Sequence, residues 1–195
     1  MILSTLVSII AGLALLQAGP GREVEYHGST VRAEGHTVTV VSQGAETSTD
    51  LPVKGEVIGL AANDYACYAL TDAGEICRSR DMKAWTAVDF NETYRGYYDA
   101  VRFVGIAAGT GSVAVVGTYE GNGAPAMFVS SMGNVWSERT LTYSQGDELF
   151  ELGEAPLAVR ADIARDEYVL TCTDGVLFFV PSCSHCNRIE YHGND

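Results

Sequence analysis

Tyrosines, one arginine and several carboxylates crowd three short stretches of this chain, and together they could stack against and hold a polar ligand. The first, Asn91 to Ala100, carries Tyr94, Arg95, Tyr97, Tyr98 and Asp99. The second runs from Tyr119 to Pro125, and the third, Tyr143 to Pro156, carries Asp147, Glu148, Glu151 and Glu154. Tyrosine rings beside an arginine supply area and a polar handle at small entropic cost, which suits sugar stacking and protein interfaces. The carboxylates would select a cationic partner or hold calcium through oxygen, although the Asp-x-Asp spacing of a dedicated calcium loop is missing. The surface read from these residues is Tyr94, Arg95, Tyr97, Tyr98, Tyr119, Asp147, Glu148 and Glu151, with a glycan or a protein as partner. The bland alternative is that both long loops are solvated covers whose tyrosines pack onto sheet edges. No catalytic set, metal site or cofactor is expected.

Cys183-Ser184-His185-Cys186 invites sharper chemistry. Redox dithiols sit at a helix start, where the helix dipole lowers the thiolate pKa, and this pair falls in a turn between strands. Zinc needs four ligands, and Cys172, His27, His36 and His192 are scattered. The preferred reading is a disulfide between Cys183 and Cys186 that clamps a turn. Cys67 and Cys77 flank the turn at Asp72-Ala73-Gly74 on one face, diagonally, so a bridge there is allowed but not compelled.

What must position these groups is a repeated sheet. Val57 to Ala62, Tyr65 to Thr71, Glu75 to Ser79 and Trp85 to Phe90 read as four short antiparallel strands separated by turn residues. The order recurs in Val101 to Ala108, Ser112 to Thr118, Pro125 to Ser130 and Trp136 to Leu141. It recurs again in Leu157 to Ala164, Glu167 to Thr173, Val176 to Val180 and Arg188 to His192. A weaker first copy occupies Glu23 to His27, Ser29 to Ala33, Thr37 to Ser42 and Thr47 to Leu51. The predicted fold is all-β: a β-propeller-like array of about four four-stranded antiparallel blades, as a four-bladed or incomplete ring. The repeats fall at about 22–52, 55–91, 101–143 and 156–193. Beyond the apolar start, only Gly146 to Leu152 hints at a helix.

Ser79-Arg80-Asp81-Met82-Lys83-Ala84-Trp85 and Ser130-Ser131-Met132-Gly133-Asn134-Val135-Trp136 each place a serine six residues before a tryptophan. These turns resemble the Asp-box, or BNR, repeats of sialidase-like β-propellers, whose looser form reads Ser-x-Asp-Gly-x-x-Trp. The first keeps Ser79, Asp81 and Trp85 with Met82 in place of glycine; the second keeps Ser130, Gly133 and Trp136 with Met132 in place of aspartate. The resemblance implies a folded turn between third and fourth strands, with the tryptophan in the seam between sheets, on the face opposite any active site. It also implies, for a sialidase, an arginine cluster introduced by an Arg-Ile-Pro-like motif and a Tyr–Glu nucleophile pair. That motif is absent here: Arg22, Arg32, Arg102 and Arg160 stand in unrelated contexts, so a sugar would have no clamp. The competing functional classes are a degenerate glycoside hydrolase and an interaction or assembly module. The latter is of the kind found among propellers that help build photosystems, or one that completes its ring by dimerisation. A monomer or a homodimer fits the pattern.

Length and charge narrow the partners further. A chain of 195 residues with net charge −13 repels nucleic acid and anionic membrane surfaces. Residues 1–21 lack charged side chains, and Ile2 to Leu16 is nearly all apolar: short for a bilayer span and suited to the core of a signal peptide over residues 1–18. The expectation is an exported protein, secreted, periplasmic or at the cell surface, with no membrane span in the mature chain. A mis-annotated start or a buried first strand is the alternative.

Overall fold

A computed structural model describes residues 21–145, 148–173, 175–179 and 191–193. The predicted signal peptide, Asp147, and the Cys183–Cys186 pair lie outside the described residues. Four four-stranded sheets follow one another along the chain, each in simple sequential antiparallel order. The first blade is β1 Glu23–Tyr26, β2 Ser29–Glu34, β3 Thr37–Ser42 and β4 Ala45–Asp50; the second is β5 Val57–Ala62, β6 Cys67–Thr71, β7 Glu75–Ser79 and β8 Thr86–Asp89. One helical turn, α1 Phe90–Thr93, leads into the third blade: β9 Val101–Ala108, β10 Val113–Tyr119, β11 Pro125–Ser130 and β12 Ser137–Glu138. A hairpin of β13 Thr142–Gln145 and β14 Glu148–Glu151 precedes the fourth blade, which is β15 Ala158–Asp162, β16 Glu167–Thr171, β17 Gly175–Phe179 and β18 Tyr191–Gly193.

The blades stack because their strands are apolar on both faces. Along β6 all five residues are buried: Cys67 and Ala69 face the first blade, while Tyr68 and Leu70 face the third. Strand alternation therefore feeds two seams from one strand. The first strands β1, β5, β9 and β15 lie side by side in that order. Three cores result: one between blades one and two around Tyr26, Val31 and Cys67; one between two and three around Phe90, Phe103 and Phe128; one between three and four around Met127, Tyr168 and Leu170.

The face of the first blade turned away from this stack is polar. Arg32 is paired with Glu23 at 2.6 Å, Thr30 donates to Glu25, Thr37 donates to Asp50, and the Thr39 and Ser48 hydroxyls share a bond. These residues alternate with the apolar set of the same strands, so the sheet has one greasy and one wetted side.

Polar tethers join neighbouring blades at the end where the third-to-fourth strand turns lie. The Tyr26 hydroxyl donates to the Arg80 carbonyl, Arg78 donates to the Met132 carbonyl, and the Asn63 amide donates to the carbonyls of Gly109 and Ser112.

Three expectations need correction. Where a helix was expected over Gly146 to Leu152, Glu148–Glu151 is the strand β14, paired with β13 as Tyr143↔Phe150 and Gln145↔Glu148. The stretch from Tyr143 to Pro156 is accordingly a hairpin rather than an open loop. The fourth strand of the third repeat, expected over Trp136 to Leu141, shortens to two residues, because Leu141 turns away into the seam with the fourth blade. The neck of the hairpin closes there, with the Leu152 N–H donating to the Leu141 carbonyl.

Candidate functional site

The connection from the second blade to the third builds the candidate site. Asp89 caps α1 by accepting from the Glu92 N–H, and Phe90 is driven into the seam, where it meets Phe103 edge-on and Phe128 at 4.6 Å. One turn of helix then sets Tyr94 on Phe90, with ring centroids 4.7 Å apart, and Tyr98 on Phe128 at 4.9 Å. The Tyr94 hydroxyl accepts from the Trp136 backbone N–H at 2.8 Å. Tyr94 is thus half-buried mortar between the second and third blades. Arg95 turns back to Glu92 at 3.2 Å.

The remaining groups meet in a cleft of about 360 Å³ lined by Gly96, Tyr97, Tyr98, Asp99, Tyr119 and Glu138. Tyr97 is 83% exposed, whereas Tyr98 and Tyr119 are half-buried, with one ring face spent on the core. Tyr119 donates its hydroxyl proton to Glu138 Oε1 at 2.6 Å. Desolvation, that bond and the nearby negative charge of Glu138 and Asp99 all push the Tyr119 hydroxyl pKa up. The cleft is therefore anionic, aromatic and open to water.

Of the residues expected to bind, Tyr97, Tyr98 and Tyr119 line one cleft, together with Glu138, which sequence reading left as an ordinary strand residue. The only signal for Glu138 was register: Phe128↔Glu138 pairs it across from a core ring near the Tyr119 turn. Glu148 and Glu151 lie exposed on β14, part of a hairpin whose Tyr143 packs against the next seam, and they do not line this cleft.

The two repeat turns occupy matching places. Asp81 accepts from the N–H groups of Lys83 and Ala84 at 2.9 Å each and from the Ser79 hydroxyl, and those backbone bonds hold its carboxyl below the usual range. In the second copy, lacking the aspartate, Ser130 Oγ accepts from the N–H of Gly133 at 2.8 Å and of Met132 at 3.3 Å. Met82 and Gly133, at equivalent positions, both have left-handed φ, 60° and 73°. Trp85 and Trp136 each pack in the seam with the preceding blade. Cys67, Cys77 and Cys172 are buried free thiols. Among the described residues no cluster of His, Cys, Asp and Glu could hold a metal ion, and no helix is long and apolar enough to cross a membrane.

No family model matches the chain, and no curated sequence matches it significantly. Solved structures do share its architecture. YCF48 bound to D1 peptide matches with a TM-score of 0.56 at 11% identity, over 91% of this chain and 55% of that one. YCF48 from Cyanidioschyzon merolae matches with 0.56 at 15% identity, over 90% and 58%. The extracellular domain of the one-component system BT4673 from B. thetaiotaomicron matches with 0.57 at 10% identity, over 88% and 22%. The chain spans a little over half the length of the two YCF48 structures. These neighbours are β-propellers, and the fold of this chain is propeller-like and nearly all β.

Proposed function

We propose that this chain is a non-catalytic binding module that takes a cationic segment of a partner protein into the Tyr97–Tyr98–Asp99–Tyr119–Glu138 cleft. The observation that carries the reading is the Tyr119–Glu138 hydrogen bond beside Asp99, with the exposed Tyr97 and the half-buried Tyr98 in the same cleft. One carboxylate oxygen of Glu138 stays available to a lysine or arginine, and the rings offer faces to the same cation. The net charge of −13 would speed the encounter. A propeller neighbour captured with a peptide supports the peptide over the glycan expectation. Kinship with Asp-box repeats, supported by the Asp81 turn, and export directed by residues 1–18 complete the proposal. A ring completed by a second copy fits less well, because the outer face of the first blade is polar.

Fluorescence anisotropy with labelled Lys/Arg-rich, Glu-rich and uncharged peptides tests the reading. Glu138→Gln combined with Asp99→Asn is expected to weaken the cationic peptide by roughly ten-fold or more. Equal binding of the acidic peptide, or displacement by a neutral oligosaccharide alone, would sink it. The competing hydrolase reading requires turnover of sialosides or aryl glycosides that disappears when a carboxylate of this cleft is replaced.

A further inference from the structure

A second cavity, of about 420 Å³, opens in the seam between the third and fourth blades. It adjoins the first cleft across β12: Ser137 and Arg139 line the cavity, and Glu138 between them lines the cleft on the opposite face of the strand. Register explains the wall: Val129↔Ser137 pairs across β11 and β12, and Arg139 follows on the same face. Asp166, in the turn joining β15 to β16, lines the same cavity from the fourth blade.

Arg139 is the only cationic group lining the cavity. Its Nε is buried without a hydrogen-bond partner among the described residues, and the ion pairs among those residues involve other side chains. A guanidinium N–H kept from water and left unmatched is costly, so the side chain gains if it shifts toward the cavity and brings that N–H to an acceptor there. Ser130, Ser131 and Ser137 line the same cavity. Ser130 Oγ already accepts two backbone N–H groups, so its own proton remains for donation. Val129 and Val135 supply an apolar wall.

We infer that this cavity is a second ligand site, on the other face of β12 from the cleft above, for a carboxylate that carries a hydrogen-bond donor on its α-carbon. The carboxylate lies on the Arg139 guanidinium and the serine hydroxyls, and the α-donor, an ammonium, hydroxyl or amide N–H, faces Asp166. One cation opposed by one anion, in a chain of net charge −13, favours a monoanion over a phosphate dianion. A free amino or hydroxy acid and the C-terminus of a peptide share this chemistry.

The test is NMR titration of the isotope-labelled full chain, observing the Arg139 Nε–Hε resonance with L-leucine, with L-lactate, with an Ala-Ala-Ala-Leu peptide and with leucinamide as the carboxylate-free control. Saturable shifts by an acid and not by leucinamide are expected, and the tighter acid identifies the source. Arg139→Gln should weaken that acid roughly ten- to hundred-fold, and Arg139→Lys should recover part of it. Asp166→Asn provides a second variant should Arg139→Gln fail to fold, and is expected to weaken leucine more than acetate. Equal response to leucinamide, no saturation by about 20 mM of any acid, or unchanged affinity in Arg139→Gln overturns the inference.

Discussion

Gly133 of the third blade stands against the ring of Tyr68 of the second: a Cβ at Gly133 would lie 2.5 Å from Tyr68 Cε1 and 3.1 Å from its Cδ1. The position also has φ of +73°, so backbone conformation favours glycine and the space beside Tyr68 requires it. Gly133→Ala is expected to cost about 2–4 kcal/mol, a fall of roughly 5–15 °C in melting temperature by differential scanning calorimetry. Gly121→Ala, which meets nothing within 4 Å, should change stability by no more than about 0.5 kcal/mol.

Tyr94 and Tyr97 lie three residues apart and should answer opposite tests. Tyr94→Phe removes the acceptor of the Trp136 N–H and is expected to lower stability by about 1–2 kcal/mol, with peptide affinity unchanged. Tyr97→Ala should leave the melting temperature alone and weaken the cationic peptide several-fold, since its ring is exposed. Urea denaturation and anisotropy on the two variants separate mortar from binding surface.

Glu75 is 5% exposed and anchors the crossing from the first blade to the second. Its carboxylate accepts from the N–H groups of Lys54 and Gly55 and from the Thr71 hydroxyl. Glu75→Ala strands two backbone donors, with an expected loss of about 2–4 kcal/mol in urea melts. Glu75→Gln, which keeps an acceptor, should lose less than half of that.

Burial pushes the Cys67 and Cys77 thiols up to about 12 and the Cys172 thiol up to about 11. The unfolded chain ionises these groups near pH 9 and the folded chain does not, so their contribution to stability is whole below pH 9 and is lost as pH rises toward 11–12. Unfolding free energy measured at pH 7, 9 and 10.5 should fall over the last interval. In the native protein at pH 8 these three cysteines should escape alkylation by iodoacetamide, read by peptide mass mapping; rapid labelling of Cys67 would contradict the packing described.

The blades were legible because two-residue alternation and turn glycines are local signals, and a strand such as Pro125–Ser130 carries both. What escaped was set by contacts distant in sequence. Phe90 begins a helical turn because the second seam needs a ring, and nothing near Phe90 says so. Glu138 joins the cleft only through its register with Phe128, and the hairpin at Thr142–Glu151 forms because Leu141 and Leu152 share a seam. Nothing local marks Arg139 as a residue whose Nε is enclosed.

The hydrated side of the first blade gives the array a direction. Another sheet laid against Glu23, Arg32, Thr39 and Asp50 would have to strip water from two carboxylates and a guanidinium before it gained any dispersion contact. This end of the stack behaves as a shore: its polar groups keep their water, and fusion into a continuous hydrophobic wheel is discouraged.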